Sequence, residues 1–119
     1  MQIQPLNQPN FKGNVYFISN YSNRALPALQ TAFEKEMPKL NKMIQNKNYN
    51  LYITQNKNNM NFFNIDANTS IEEVRKTPQG RVKIFKDAIS AATEAAQDAI
   101  DLFEEHLACL KNKQKYNIK

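Results

Sequence analysis

Two glycines, one histidine, one cysteine and no tryptophan occur in 119 residues, and each scarcity excludes something. Gly13 and Gly80 stand too far apart to build a phosphate-cradling loop or a dinucleotide fingerprint. The single cysteine, Cys109, rules out an internal disulfide framework. With His106 as the only histidine, no Cys/His zinc site closes within one chain. Neither Gly-x-Ser-x-Gly nor His-Glu-x-x-His occurs. No apolar run approaches the roughly 20 residues that span a bilayer. Met1 to Asn10 holds no charge and no apolar core segment, so it does not read as a secretory signal. These absences predict a cytoplasmic protein that is not an enzyme, does not associate with membranes and needs no metal or cofactor.

What is present suits one globular domain. Hydrophobic residues make up 41% and charged residues 23% of the chain, with seven Phe and five Tyr as bulky core material. The mean hydropathy of −0.68 comes largely from Asn, Gln and Lys. The net charge of +5 is uneven: +4 over residues 1–48, zero over 49–80 and +1 over 81–119. The last figure conceals an acidic stretch followed by a basic end, Lys111, Lys113, Lys115 and Lys119.

The order of elements follows from spacing. Residues 1–10, with Pro5 and Pro9, read as an extended arm before a single domain over 11–113 and a basic tail over 114–119. A strand is expected over Asn14 to Ser19. Leu26, Leu29, Phe33, Met37, Leu40 and Ile44 then recur every three or four residues, one face of a helix that Pro38 should kink or break. Tyr49 to Thr54 and Met60 to Asp66 are two strands joined by a polar loop, an antiparallel hairpin. Thr69 or Ser70 can cap a short helix through Val74, with Glu72 or Glu73 closing a capping box. Thr77 and Pro78 resemble a second start, from which a helix can run to about Lys113. Its stripe is Phe85, Ala88, Ala92, Ala96, Ala99, Phe103, Leu107 and Leu110.

The reading is therefore an α+β, two-layer sandwich of β-α-β-β-α order. A three-stranded sheet carries a kinked helix and a long C-terminal helix on one face. Its core should hold Val15 and Phe17 (or Tyr16 and Ile18), Leu51, Ile53, Phe63 and Ile65. Leu29, Phe33, Leu40, Ile44, Phe85, Ala92, Ala96 and Phe103 pack against them.

The candidate sites are few. A rod of some 35 residues would measure about 50 Å, longer than a domain of this size, so its end at Phe103, Leu107 and Leu110 becomes a candidate interface with a second copy or another protein. Lys35, Lys39 and Lys42 form a basic row on the first helix. With Lys111, Lys113 and Lys115 they are candidate contacts to nucleic acid. Tyr16, Tyr49, Tyr52, Phe62 and Phe63 raise base stacking on a sheet face, although only one of each adjacent pair can point outward. Glu94, Asp98, Asp101 and Glu105 make an acidic stripe that reads as a solvated helix face. His106 and Cys109 share a face, but a thiolate is disfavoured at the C-terminal end of a helix, so a packed cysteine beside a solvent-touching histidine is expected. The leading expectation is a non-catalytic interaction module, a homodimer through the long helix; the alternative is a small basic nucleic-acid binder.

Overall fold

The structure, a computed structural model, describes residues 12–18, 25–55, 61–76 and 81–116. The expected N-terminal arm, the Thr77–Pro78 helix start, the centre of the hairpin loop and the last three residues lie outside these ranges.

The fold is mixed α+β. Strand β1 (Val15–Ile18) leads through helices α1 (Ala25–Ala32) and α2 (Met37–Ile44) to β2 (Asn50–Gln55). Strand β3 (Phe62–Asn68), helix α3 (Ile71–Lys76) and strand β4 (Arg81–Phe85) follow. A 3-10 segment (Lys86–Ala91) then runs into the long helix α4 (Ala92–Tyr116). The sheet has four strands in the order β1-β2-β3-β4. β1 is parallel to β2, and the other two pairings are antiparallel. The expected hairpin is the β2–β3 pair.

The three-stranded sheet and the β-α-β-β-α order are corrected by β4. The segment Arg81-Val82-Lys83-Ile84-Phe85 alternates polar and apolar, the period of a half-buried strand. Val82 and Ile84 pair with Ile65 and Phe63 on β3. Phe85 fitted the helical spacing by coincidence: it is 55% exposed rather than in the core. The long helix therefore begins at Ala92, and its 25 residues span about 38 Å.

Pro38 breaks the first helix rather than kinking it. The Thr31 hydroxyl bonds back to the Pro27 carbonyl at 2.8 Å, an interaction that competes with helix continuation. The amides of Glu36 and Met37 both bond the Phe33 carbonyl, which closes a turn. Pro38 then falls in the first turn of α2, where its missing N–H leaves nothing unsatisfied.

The register sorts the strand residues into two sets. Val15 and Phe17 align with Leu51 and Ile53, then with Ala67 and Ile65. This set faces α1, α2 and α4, which contribute Leu29, Phe33, Leu40, Ile44, Ala92, Ala96, Ala99 and Phe103 to one core. Phe33 sits at its centre, with Phe17 and Phe63 at centroid distances of 5.8 and 5.3 Å. Gly13 admits the close approach of this layer, because a Cβ there would overlap the backbone carbonyls of Ile44 and Tyr49.

The opposite set is polar. Tyr16, Tyr52, Asp66 and Arg81 align in one row across all four strands. Helix α3 packs on β3. Ser70 caps it, its hydroxyl accepting from the Glu73 amide at 3.2 Å. Its buried Val74 stands outside the main core. Arg81 ties α3 down, donating from Nη2 to the Val74 carbonyl at 3.0 Å.

Candidate functional site

Two places on the molecule concentrate the features that a partner would read. The first is the C-terminal half of α4. Ala92, Ala96, Ala99, Phe103, Leu107 and Leu110 fall within an arc of about 80° on a helix of 3.6 residues per turn. The first four are buried over the sheet; Phe103 is only 3% exposed and packs edge-on to Tyr49 at 4.7 Å. Leu107 and Leu110 are 38% and 45% exposed. The helix thus leaves its own sheet one turn after Phe103, with its apolar stripe intact. Of the three expected interface residues, Phe103 belongs to the core and the two leucines stand free. Leu102, also exposed, lies on the flank of this stripe.

A polar clamp marks the point of departure. Glu104 accepts a hydrogen bond from the Tyr49 hydroxyl and another, at 2.9 Å, from Lys47 Nζ. Burial and the adjacent carboxylate push the Tyr49 hydroxyl well above its usual range. The same two donors hold Glu104 below the usual carboxylate range. Beyond the clamp a groove of about 650 Å³ opens between the α2–β2 connection and α4. Asn46, Asn48, Leu107, Ala108, Leu110 and Lys111 are among its lining residues.

The second place is the polar sheet face. Tyr16 stacks on Tyr52 with ring centroids 5.5 Å apart and planes 20° apart. Asn14 and Asn50 donate to the two phenol oxygens at 3.4 and 3.1 Å. Arg81 Nε donates to Asp66 Oδ1 at 2.8 Å, while Asp66 Oδ2 is buried without a hydrogen-bond partner. Burial raises the Asp66 carboxyl above its usual range, and the Arg81 bond offsets this only in part. At the far corner Phe62 packs on Phe85, centroids 4.2 Å apart.

The remaining candidates are dispersed. Lys35, Lys39 and Lys42 lie on the helical layer, away from the aromatic sheet face. Lys39 approaches Glu36 at 3.6 Å, and Lys42 sits beside Met43, Glu94 and Gln97 in a shallow depression against α4. Lys111 is exposed near the helix end; the side chains of Lys113 and Lys115 lie outside the described residues. Of the aromatic candidates, Tyr49 and Phe63 point into the core, and Tyr16, Tyr52 and Phe62 point to the polar face. Glu94, Asp98, Asp101 and Glu105 are all exposed, with Gln97 donating to Asp101 at 2.9 Å. Cys109 is exposed rather than packed, because the helix has already left the sheet at that point, and His106 is half-buried.

Among the described residues no group of three His, Cys, Asp or Glu side chains is placed to hold a metal ion. No described helix is long and apolar enough to cross a membrane. The Asp66–Arg81 row and the Phe62–Phe85 contact went unread in the sequence, since both depend on β4. Compared with known proteins, the chain matches no family model, no curated sequence and no solved structure.

Proposed function

We propose that this chain is a non-catalytic protein–protein interaction module that pairs with a second copy of itself through the C-terminal half of α4. One observation carries the reading: the stripe that buries Ala92 to Phe103 continues unbroken into exposed Leu107 and Leu110. A two-fold pairing satisfies both copies with one patch.

The charge sequence of α4 sets the direction of that pairing. Acidic residues occupy its first part (Glu94, Asp98, Asp101, Glu104, Glu105) and lysines its end (Lys111, Lys113, Lys115). This order suits the helix dipole of a lone helix. In an antiparallel pair centred near Ala108 it also sets the acids of one copy against the lysines of the other, whereas a parallel pair would align like charges. The groove beside Leu107 then receives the end of the partner helix. The contact is small against the roughly 1,200–2,000 Å² of a standard interface, so the dimer should depend on concentration. A cytoplasmic setting accompanies this reading, with Cys109 a free thiol.

Light scattering after size exclusion tests it over a range of concentrations. The expected mass rises with concentration from 13.8 kDa towards twice that value. The double variant Leu107→Asp and Leu110→Asp should remain monomeric at every concentration while the sheet and its core stay folded, since neither side chain is in the core. A wild-type mass that stays monomeric at the highest concentrations would end the proposal.

A further inference from the structure

β4 forms one edge of the sheet, and among the described residues no strand pairs with its outer side. The Lys86 amide donates to the Asn61 carbonyl at 2.7 Å, which continues the β3–β4 register by one pair. Opposed residues of an antiparallel ladder exchange bonds at every second pair. Val82 and Ile84 accordingly turn their peptide groups toward β3, as Lys86 does. The N–H and C=O groups of Arg81 and Lys83, and the N–H of Phe85, point away from the sheet. The same three residues have exposed side chains, whereas Val82 is half-buried and Ile84 buried. A row of outward peptide groups is a template for another strand.

The side chains along this edge decide what it accepts. β4 carries Arg81 and Lys83 and no acid, and Lys86 follows it. Arg81 is matched by Asp66, but Lys83 and Lys86 form no ion pair among the described residues. The two bases of α3 are balanced by its own two acids. The local excess is thus positive, Lys83 and Lys86 against Asp87. Phe85 supplies an apolar end, exposed and lying against Phe62 with centroids 4.2 Å apart. A second copy of β4 suits this edge poorly. The fullest two-fold pairing is centred on Lys83 and sets two lysines directly opposite each other, which destabilises a ladder.

We infer that the edge of β4 receives an extended acidic peptide as a fifth strand, held by backbone bonds to Arg81, Lys83 and Phe85. Every second side chain of an added strand falls on the polar face beside these three residues. One acid there meets Lys83, another meets the partly exposed Arg81 guanidinium, and a ring meets Phe85. The side chains between them fall on the helical face beside half-buried Val82, where aliphatic residues fit. The favoured pattern is acid, aliphatic, acid, aliphatic, aromatic, in either direction. This edge involves neither Leu107 nor Leu110 and is independent of the pairing through α4.

Fluorescence anisotropy of the full chain tests the inference at low salt with two labelled, end-capped peptides, Glu-Val-Glu-Val-Tyr and Tyr-Val-Glu-Val-Glu. At least one should bind, and the same peptides with lysine for glutamate should bind more weakly. Lys83→Glu should invert that preference. Phe85→Ala should weaken binding roughly 2- to 5-fold. Lys83→Pro removes an outward N–H without touching the β3 ladder, a replacement that edge strands tolerate. It should abolish binding while the melting transition is kept. Should it fail to fold, modified peptides decide the matter, because an added strand turns alternate amides toward β4. N-methylation of one alternate set should abolish binding, and N-methylation of the other should leave it intact. The Leu107→Asp and Leu110→Asp double variant should bind peptide as the wild type does. Absence of binding by both acidic peptides would overturn the inference, as would equal binding of the lysine forms or indifference to either methylation. So would a dimer that Lys83→Pro abolishes and the double leucine variant retains, since the occupant would then be a second copy.

Discussion

Each strand of the sheet sends alternate residues to two faces, and the two faces obey different physics. On one, Leu51, Ile53, Ile65 and Ala67 are fully enclosed by three helices. On the other, Tyr52, Thr54, Asn64, Asp66 and Asn68 are also buried, yet the burial is of polar groups that need partners. The helical face is held by area removed from water, which is non-directional and tolerant of small shifts. The polar face is held by specific bonds: Arg81 to Asp66 and to Val74, Asn50 to Tyr52, and Asn14 to Tyr16. Loss of one partner there strands another group in a poorly solvated site. The first face is held by packing; the second is specified by geometry, so the loss of a single partner is felt there more sharply.

The largest expected effect lies on the helical face. Ile53→Ala removes a fully buried side chain between Phe17 and Ile65 and should cost about 2–5 kcal/mol. Chemical denaturation should register that loss with little dependence on pH, since no titrating group touches the cavity. On the polar face, Arg81→Ala should cost somewhat less, about 2–3 kcal/mol at neutral pH. This is below the usual penalty for orphaning a buried charge, because the guanidinium is one-third exposed. The distinguishing mark is that the Arg81→Ala loss should shrink on acidification, as protonation of Asp66 removes the unpaired charge. Equal losses at pH 4 and pH 7 would mean that Asp66 is not the group left stranded.

The two faces were unequally legible from sequence. Aliphatic spacing gave the helical face almost whole: Leu29, Phe33, Leu40, Ile44, Ala92, Ala96 and Phe103 are core residues as expected. The hairpin, the stop at Pro38 and the caps near Ser70 also follow from local chemistry. The polar face was not legible, because it depends on the neighbours each strand acquires. Phe85 and Ala88 happened to continue the stripe of α4 in helical spacing. The alternation from Arg81 to Phe85, only five residues long, was absorbed into that helix. With β4 lost, Asp66 had no visible partner and Arg81 no visible role. The parallel pairing of β1 with β2 was similarly beyond local signals, since it is fixed by the α1–α2 crossover and by Gly13 passing under Tyr49. For the candidate interface, spacing alone could not say where α4 leaves the sheet. Phe103, Leu107 and Leu110 are equivalent on the helix and differ only in what lies beneath them.

The smallest expected effect is also the most discriminating. Asp66→Asn keeps the shape of the side chain and an oxygen for Arg81 to donate to, but it cannot ionise. In the folded protein the Asp66 carboxyl titrates above its ordinary value of 3.8, because burial outweighs the single bond to Arg81. A carboxyl raised by folding contributes stability that is complete below the unfolded value and is lost as pH rises through the folded one. Wild-type stability should therefore fall relative to Asp66→Asn as pH climbs from about 3.8, and the difference should level off once Asp66 is fully ionised. Glu104 acts in the opposite sense, its lowered value giving stability that is lost on acidification, but it is common to both proteins and cancels in the difference. Thermal melts of the pair across pH 3 to 8 supply the measurement. A flat difference would place Asp66 in a better solvated setting than its burial implies. A difference of the opposite sign would make the Arg81 bond the dominant influence, and the polar face would then be held by a true ion pair.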